Sequence, residues 1–578
     1  MLKKLGLVFG NLRTKFVIGI KRFPETLLLA VICLGIAIYL NHLDFQSTNE
    51  MVVLRRILAT VALGCPVFLV VRVLFEQRNF SDKRAKISVY ALAIIGLMVV
   101  FYIFRGFNAI AIIKYSALNI FFYLAFTFIP YFYRRENYEN YVIALLVRFL
   151  VSFLYALIVY AGCMAIIVTL NLLFSIGDYF HFAVDIWDTT VVFALAYFLA
   201  GVPQQGENKC IDDYPEVLKG LLKYIIMPLL AIYSAILYAY FFKIVLSFAW
   251  PDKVVANLVL WYAIISTCSI FCMFPLRATN RWVNKFIMVF PKAILPLLIM
   301  MFITVGIRIN AYGITESRYY VVLTGVVILG YMIYLSIIKN PRNIVIAIFT
   351  AFLALLSVVG PWSCFEVTKL SQNIRFEKIL MKYHMIEDNQ LVKPQETLPD
   401  VDKDEIKSII RYFEQQEKLA DLKYLPAGFS TNQMQDVFGF GIREKSWAHS
   451  LNVGGVLLDI NGADYFAEFN GRVRLRVIAD GRIYSDKKAE LDTGCAAYID
   501  DNLNLNIVRA GEVIYSKHVQ DVVLKLHNSN IDKAVLNQSE MTFVDENESI
   551  KVTYVFKSIQ GRNEKVNMPE FYLVVKLK

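Results

Sequence analysis

Charge is what this chain has least of. Asp, Glu, Lys and Arg make up 19% of its 578 residues, against a hydrophobic share of 57%. A soluble chain of this size would be nearer half apolar and a quarter charged, which disfavours a purely soluble class. Acidic residues are missing from the apolar core of every long hydrophobic run, so a proton relay of carboxylates lacks its parts. Enzyme signatures are missing as well: there is no Walker loop, no G-x-G-x-x-G, no G-x-S-x-G and no H-E-x-x-H. Histidine is scarce. Of the six, His42 and His181 adjoin apolar runs and read as surface residues, while His384, His449, His518 and His527 are scattered through the C-terminal part. Eight cysteines offer neither a disulfide framework nor metal-ligand spacing; Cys268 and Cys272 share a helix face but have no histidine nearby. No cofactor is implied.

What is present is apolar sequence in long blocks, with a mean hydropathy of +0.52. A bilayer-spanning helix needs roughly 20 predominantly apolar residues. By that measure about eleven spans are expected: Pro24–Leu40, Val53–Phe75, Ile87–Phe104, Ala117–Tyr133, Tyr141–Phe174, Trp187–Gly201, Val217–Phe248, Val254–Phe274, Phe290–Ile307, Ser317–Ile338 and Asn343–Gly360. Two are over-long. Tyr141–Phe174 must tilt, project into water or break near Gly162, and Val217–Phe248 contains Pro228, a kink site. The fold class expected is an all-α polytopic membrane domain followed by a C-terminal α+β domain that is mostly antiparallel β.

The formal charge of +11 and pI of about 9.0 do not point to nucleic acid, because no basic aromatic platform accompanies them. Lys and Arg gather instead in alternate short loops, such as Arg78/Lys83/Arg84/Lys86 and Arg277/Arg281/Lys285, whereas 177–188 contains neither. The positive-inside rule then places the N-terminus in the cytoplasm and, with an odd count, the C-terminal domain outside, for a protein of a bacterial inner membrane. The expected divisions are a basic amphipathic segment over 1–22, the helical membrane domain over 23–362, an exit helix and linker over 363–401, and an extracytoplasmic domain over 402–578. In that last domain Asp402 and Glu405 read as a capping box, and alternation from about residue 450 reads as strands, among them LNLNIVR, SIKVTYVFK and FYLVVKLK.

Several strings resemble a bacterial family known as domain of unknown function 4153. They are Arg22-Phe23-Pro24, Pro228-Leu229-Leu230 with Tyr233, Tyr238, Tyr240 and Lys243, and the run from Arg308 through Tyr312-Gly313-Ile314-Thr315-Glu316 to Arg318-Tyr319-Tyr320. Gly360-Pro361 and Leu370-Ser371-Gln372 with Arg375 extend the likeness beyond the last span. The resemblance implies the membrane architecture and brings no activity with it.

Ionisable and aromatic groups at membrane depth are the candidate site. Arg148 reads as snorkelling towards head groups. Tyr233, Tyr240 and Lys243 fall on one face of the seventh span, as a ligand path or as packing. The 306–320 segment is the richest: Gly313 permits a turn, Thr315 is placed to cap the tenth helix, and Glu316 to pair with Arg308 or Arg318. The simpler reading is a rigid interfacial hairpin. The functional one is an outward-facing anion or head-group pocket, with Arg308 and Arg318 as bidentate donors and Tyr312 and Tyr319 as walls. Partners expected are the lipid bilayer and an envelope protein or lipid head group, for a non-enzymatic sensor, scaffold or regulatory protein. A transporter of a small solute or lipid is the alternative, and a membrane-embedded transferase the third.

Overall fold

A computed structural model describes most residues from 19 to 578, outside 44–48, 79–81, 133–136, 175–178, 204–213, 248–253, 395–397, 442–445, 452–457, 470–475, 478–487 and some shorter gaps. The expected N-terminal amphipathic segment lies almost wholly outside the described residues. The chain forms two compact units, one of residues 1–390 with 398–427 and one of 391–397 with 428–578.

The first unit is helical. In chain order it contains α1 (Pro24–Asn41), α2 (Asn49–Arg78), α3 (Lys83–Ile103), α4 (Ala109–Phe128), α5 (Tyr138–Phe174), α6 (Phe180–Ala200), α7 (Glu216–Ser247), α8 (Val254–Met273), α9 (Arg281–Tyr312), α10 (Glu316–Ile337) and α11 (Ile344–Leu356). The first ten are each long and apolar enough to cross a bilayer. This is a multi-pass membrane protein. Entry to the helices follows local chemistry: Pro24 sits at the start of α1, where its missing N–H costs nothing, and Asp82, Asn108 and Asn280 accept backbone N–H bonds at the starts of α3, α4 and α9.

Where these helices depart from expectation, the cause is physical. The eleventh span is only 13 residues of helix, about 20 Å at 1.5 Å per residue. It still returns the chain. The Tyr320 hydroxyl near the start of α10 meets Ser357 just after α11, and Tyr331 further along α10 meets Asn343 just before it. The two helices therefore run antiparallel over the same depth. Helix α5 runs 37 residues through Gly162 without a break. In α7 the strain of Pro228 is taken up one turn earlier, as a π-helical turn over Leu222–Ile226, because the proline ring clashes with the carbonyl of Tyr224. Helix α6 starts seven residues before the predicted span, which brings Asp185 into the helix a turn ahead of Asp188.

The bundle's densest packing surrounds α9, where Ile294, Leu298 and Met301 are fully buried with Ala263 and Ile270 of α8 and Met332 of α10. Gly325 on α10 allows this close crossing, since a Cβ there would lie 2.6 Å from the Met301 methyl. By contrast α3 buries no residue, as suits a helix facing lipid.

After α11 the same unit continues with α12 (Cys364–Lys382) and α13 (Asp400–Gln415). The sequence assigns α13 to the C-terminal domain, but its apolar face of Ile406, Ile409, Ile410 and Phe413 is buried within the first unit. Its N-cap is Pro399 with no side-chain bond, so Asp402 and Glu405 form no capping box. Asp402 instead accepts from Lys382 at 2.8 Å and from Tyr383, which together hold its carboxyl below the usual range.

Among its described residues the second unit carries the short helix α14 (Met434–Phe438), α15 (Val519–Ser529) and twelve strands. These strands are β1 (Ser446–Leu451), β2 (Tyr465–Phe469), β3 (Arg476–Val477), β4 (Lys488–Asp492), β5 (Cys495–Ile499), β6 (Asn504–Arg509), β7 (Glu512–His518), β8 (Val535–Leu536), β9 (Thr542–Glu546), β10 (Ile550–Arg562), β11 (Lys565–Val566) and β12 (Glu570–Leu577). One sheet runs β8-β1-β10-β12-β2-β3, with β9 and β11 also on β10; the other runs β4-β5-β6-β7. Among the described residues the pairings are antiparallel except β8 with β1. Alternation supplies the core: Val552, Tyr554 and Phe556 of β10 bury one face with Phe571, Leu573 and Val575 of β12, and α15 adds Val522 and Val523.

Candidate functional site

The site sits where α9 ends and α10 begins. Gly313 lies at φ +67°, a conformation that side-chain-bearing residues rarely adopt, and it breaks the helix so that the chain can reverse. It is also crowded: a Cβ would stand 2.5 Å from Arg375 Cδ and 3.0 Å from Gln372 Nε2. Only glycine meets both demands.

The crowding comes from α12, and it is specific. Ser371 Oγ accepts the Ile314 N–H at 2.8 Å, and Gln372 Nε2 donates to the Ile314 carbonyl at 2.8 Å. Arg375 donates to the Tyr312 carbonyl at 2.8 Å, to Gln372 Oε1 at 2.9 Å and to Glu405 of α13 at 2.6 Å. From α10, Arg318 donates to the carbonyls of Gly313 at 2.7 Å and Tyr312 at 3.2 Å, with its guanidinium 5.6 Å from the centre of the Tyr312 ring. Cations are favoured at these carbonyls because they are the unsatisfied end of α9. Two strings some fifty residues apart in sequence, both noted for their family likeness, are thus the two halves of one clasp. Neither periodicity nor spacing along the chain signals that they meet.

Several expectations are corrected here. Glu316 pairs with neither arginine; its carboxylate accepts from the Tyr412 hydroxyl of α13 at 2.5 Å. Thr315 occupies the N-cap position but makes no capping bond, its hydroxyl lying 3.3 Å from that of Ser317. Arg318 is turned onto backbone carbonyls rather than into a pocket. Tyr319 donates to the Trp362 carbonyl at 2.8 Å. Two groups remain open. No hydrogen bond or ion pair joins Arg308 to another described residue, although it lies within electrostatic reach of Arg318, and the Tyr312 side chain is exposed.

The stripe on α7 does not join this cluster. Tyr233 stacks on Tyr262 of α8 with centroids 5.3 Å apart, while Lys243 is exposed and, like Tyr240, forms no bond among the described residues. It is Tyr238, not flagged as a site, that bridges helices, donating to the Ala293 carbonyl of α9 at 2.6 Å.

Three further constellations escaped sequence reasoning. Arg22, of the Arg-Phe-Pro string, donates to both carboxylate oxygens of Glu76 at 2.9 and 2.8 Å and to the carbonyls of Val202 and Pro203 beyond α6. His42 meets Asp185 at 2.7 Å and stacks on His181 at 5.5 Å, with Asn41 bonded to both Asp185 and His181, so these two histidines are partners rather than separate surface residues. In the second unit His449 Nε2 is 2.8 Å from His527 Nδ1, and Trp447 stacks on His527 at 3.9 Å. Burial and the neighbouring His449 hold His527 below its ordinary value. A helix periodicity or strand alternation cannot reveal such pairs, because the partners are 54, 143 and 78 positions apart. Among the described residues no group of three or more His, Cys, Asp and Glu side chains is disposed to hold a metal.

No solved structure matches the chain. It is 23% identical over 202 residues to an uncharacterised protein of Pasteurella multocida (strain Pm70), a stretch covering 35% of this chain and 34% of that protein, so the likeness spans about a third of each. The family described as "Domain of unknown function (DUF4153)" matches residues 23–383, from the first membrane helix to the end of α12, and takes in both halves of the clasp. The chain belongs to the DUF4153 family.

Proposed function

We propose that the protein is a non-enzymatic sensor, scaffold or regulatory protein of a bacterial inner membrane, with the N-terminus in the cytoplasm and the C-terminal unit outside. The observation that carries this reading is the clasp. Its polar groups are committed to one another and to α12 and α13, which fixes the chain as it leaves the bundle; they are not arrayed around a polar passage. Its partner is an envelope protein or a lipid head group, received at the open side by Arg308, with Tyr312 and Tyr319 beside it. Bidentate recognition by Arg308 is lost in Arg308→Lys, whereas folding is not.

The test is complementation of a deletion strain, read by lipidomic and metabolite profiling. A chain ending after Ala427 retains every membrane helix and both halves of the clasp, and it is expected to leave the deletion profile unrestored. Full restoration by that chain, present in the membrane at normal level, would sink the scaffold and sensor reading. Topology is tested separately: an alkaline phosphatase fused at Lys578 is expected to be active, and an inactive fusion places the C-terminal unit on the other side. One observation favours a second reading, transport of a small solute or lipid. The π turn ahead of Pro228 in α7 is the kind of irregularity that transporters place near substrate. Transport predicts the opposite complementation result.

A further inference from the structure

The second unit holds two histidines in direct contact, and the fold fixes which of their nitrogens carry protons. His449 lies in β1 and is 3% exposed. Its Nδ1 meets the Lys533 carbonyl at 2.5 Å, and a carbonyl only accepts, so that nitrogen carries a proton. In the neutral ring Nε2 is then an acceptor, and His527 Nδ1, 2.8 Å away, donates to it. Two neutral rings satisfy each other.

The contact joins a weak edge to the larger sheet. His527 is in the last turn of α15, and Lys533 lies between α15 and β8. Strand β8 has only Val535 and Leu536, paired with Ser450 and Leu451 of β1, and the Ser450 N–H adds a bond to the Ala534 carbonyl. Trp447 of β1 stacks on the His527 ring with centroids 3.9 Å apart. The histidine pair therefore ties the end of α15 and the edge strand β8 to one strand.

The surroundings favour the uncharged pair. On β10, Ile559, Gln560 and Gly561 stand opposite His449, Ala448 and Trp447, with Arg562 opposite Ser446 at the start of β1. Lys565 is on β11, which lies against α15. The Lys533 ammonium is taken by Glu540 at 2.6 Å. On α15 itself Lys525 lies over Phe543, and Asp521 is beside His518 at the helix start. No carboxylate among the described residues bonds to either ring. The carbonyls ending α15 do not call for a cation either, since Asn530 donates to those of Leu526 and His527. Burial, with His449 beside it, holds His527 below the ordinary histidine value.

We infer that the His449–His527 pair is an acid-sensitive latch: neutral, it holds the end of α15 and β8 on β1, and uptake of a proton releases them. The sign follows from linkage. Closure is favoured fully above the ordinary histidine value of 6.5, and that preference is lost as pH falls towards the lower value of the closed pair. Use of the latch as a signal rests on the outward placement proposed above, where the pair meets the pH of the envelope; the latch itself does not.

The experiment is hydrogen exchange of the full chain in detergent, read by mass spectrometry and corrected for intrinsic exchange. Between about pH 7.5 and about pH 5.5 the opening constant over 446–451 and 533–536 is expected to rise about fivefold, while β10 and β12 are unchanged. His527→Gln keeps a side-chain N–H for His449 but takes up no proton, and it is expected to stay closed at both values. A rise of less than about twofold in the parent, an equal rise in β10 and β12, or an undiminished rise in His527→Gln overturns the inference. So does a variant open at both values with β10 and β12 protected, because the ring and not its charge would then hold the edge. Trp447 emission, isolated by subtracting the Trp447→Phe spectrum, reads the parent independently: it is expected to change over the same pH range, and a flat titration overturns the latch. The phosphatase fusion tests the outward placement separately, so the two can fail apart.

Discussion

Two arginine clamps, one at each end of the helical bundle, use the same chemistry to different extents. Arg22 grips Glu76 with both arms of its fork and reaches two carbonyls beyond the end of α6; its side chain is 9% exposed. Arg375 grips Glu405 and reaches a carbonyl at the end of α9, with 16% exposure. In both, a guanidinium satisfies carbonyls that a helix end leaves without partners, and a carboxylate balances the charge. The difference lies in what is left over. The Arg22 clamp also has a second arginine beside it, but that one, Arg72, stands 3.9 Å from the same Glu76 carboxylate, and the flanking Phe23 is fully buried. The Arg375 clamp sits in a cluster with Arg318 and Arg308, and one of those three cations has no partner among the described residues. A closed clamp is architecture. A clamp with a spare arginine beside an exposed tyrosine has room for something else.

The comparison breaks most easily at Gly313. Alanine there would have to adopt φ +67° and displace Arg375, Gln372 and Ser371 together. The backbone strain alone is about 1–3 kcal/mol, and release of the α12 contacts adds to it. Gly313→Ala is expected to be the most damaging single change at the hairpin, read as a lowered melting temperature and faster proteolysis between α12 and α13. A melting temperature within a degree of the parent would mean that the clasp is not rigid.

Next come the clamps themselves. Removing one partner of a buried pair leaves the other uncompensated, so Arg22→Met is expected to destabilise by about 3 kcal/mol. Arg375→Met, slightly more exposed, should cost about 2 kcal/mol on the same grounds. Lysine at either position keeps the charge but not the fork, and should recover less than half of the loss. If Arg22→Lys behaves like the parent, the two carbonyl bonds are unimportant and the likeness between the clamps is superficial.

The same contrast explains what the sequence disclosed. Helices were legible because each is a long apolar run, and the strands because β6, β10 and β12 alternate. Position along the chain was enough. Arg22 and the 308–320 string were legible as unusual, since polar groups in apolar surroundings stand out. Their partners were not, for Glu76, Ser371, Gln372 and Glu405 look ordinary in their own segments. Proximity in sequence pairs Glu316 with Arg308 or Arg318, yet Tyr412, 96 positions away, holds it. Local charge matching fails there because Arg318 is already occupied by the carbonyls at the end of α9, an acceptor that composition does not display.

That Glu316–Tyr412 contact gives a smaller prediction. A hydrogen bond to a charged group is worth about 1.5–3 kcal/mol, and Tyr412 is partly exposed, so Tyr412→Phe should cost about 1 kcal/mol. Combined with Glu316→Gln it should cost little more, because the two changes remove one interaction; additive losses would show that each residue has a separate partner.

The smallest effect on stability is the most informative. Arg308 makes no bond to a described residue and lies near like charge, so Arg308→Ala should shift stability by no more than about 0.5 kcal/mol. Relief of repulsion with Arg318 makes a slight gain as acceptable as a slight loss. Nothing in the fold requires this arginine, while its position beside Tyr312 at the open side of the clasp suits an anion. Complementation should therefore separate it from the closed clamp. Arg308→Ala at parental stability should fail to restore the deletion strain, and Arg308→Lys should restore it only in part. Full restoration by Arg308→Ala would make the hairpin end as purely architectural as the Arg22 end, and the distinction between the two clamps would fall.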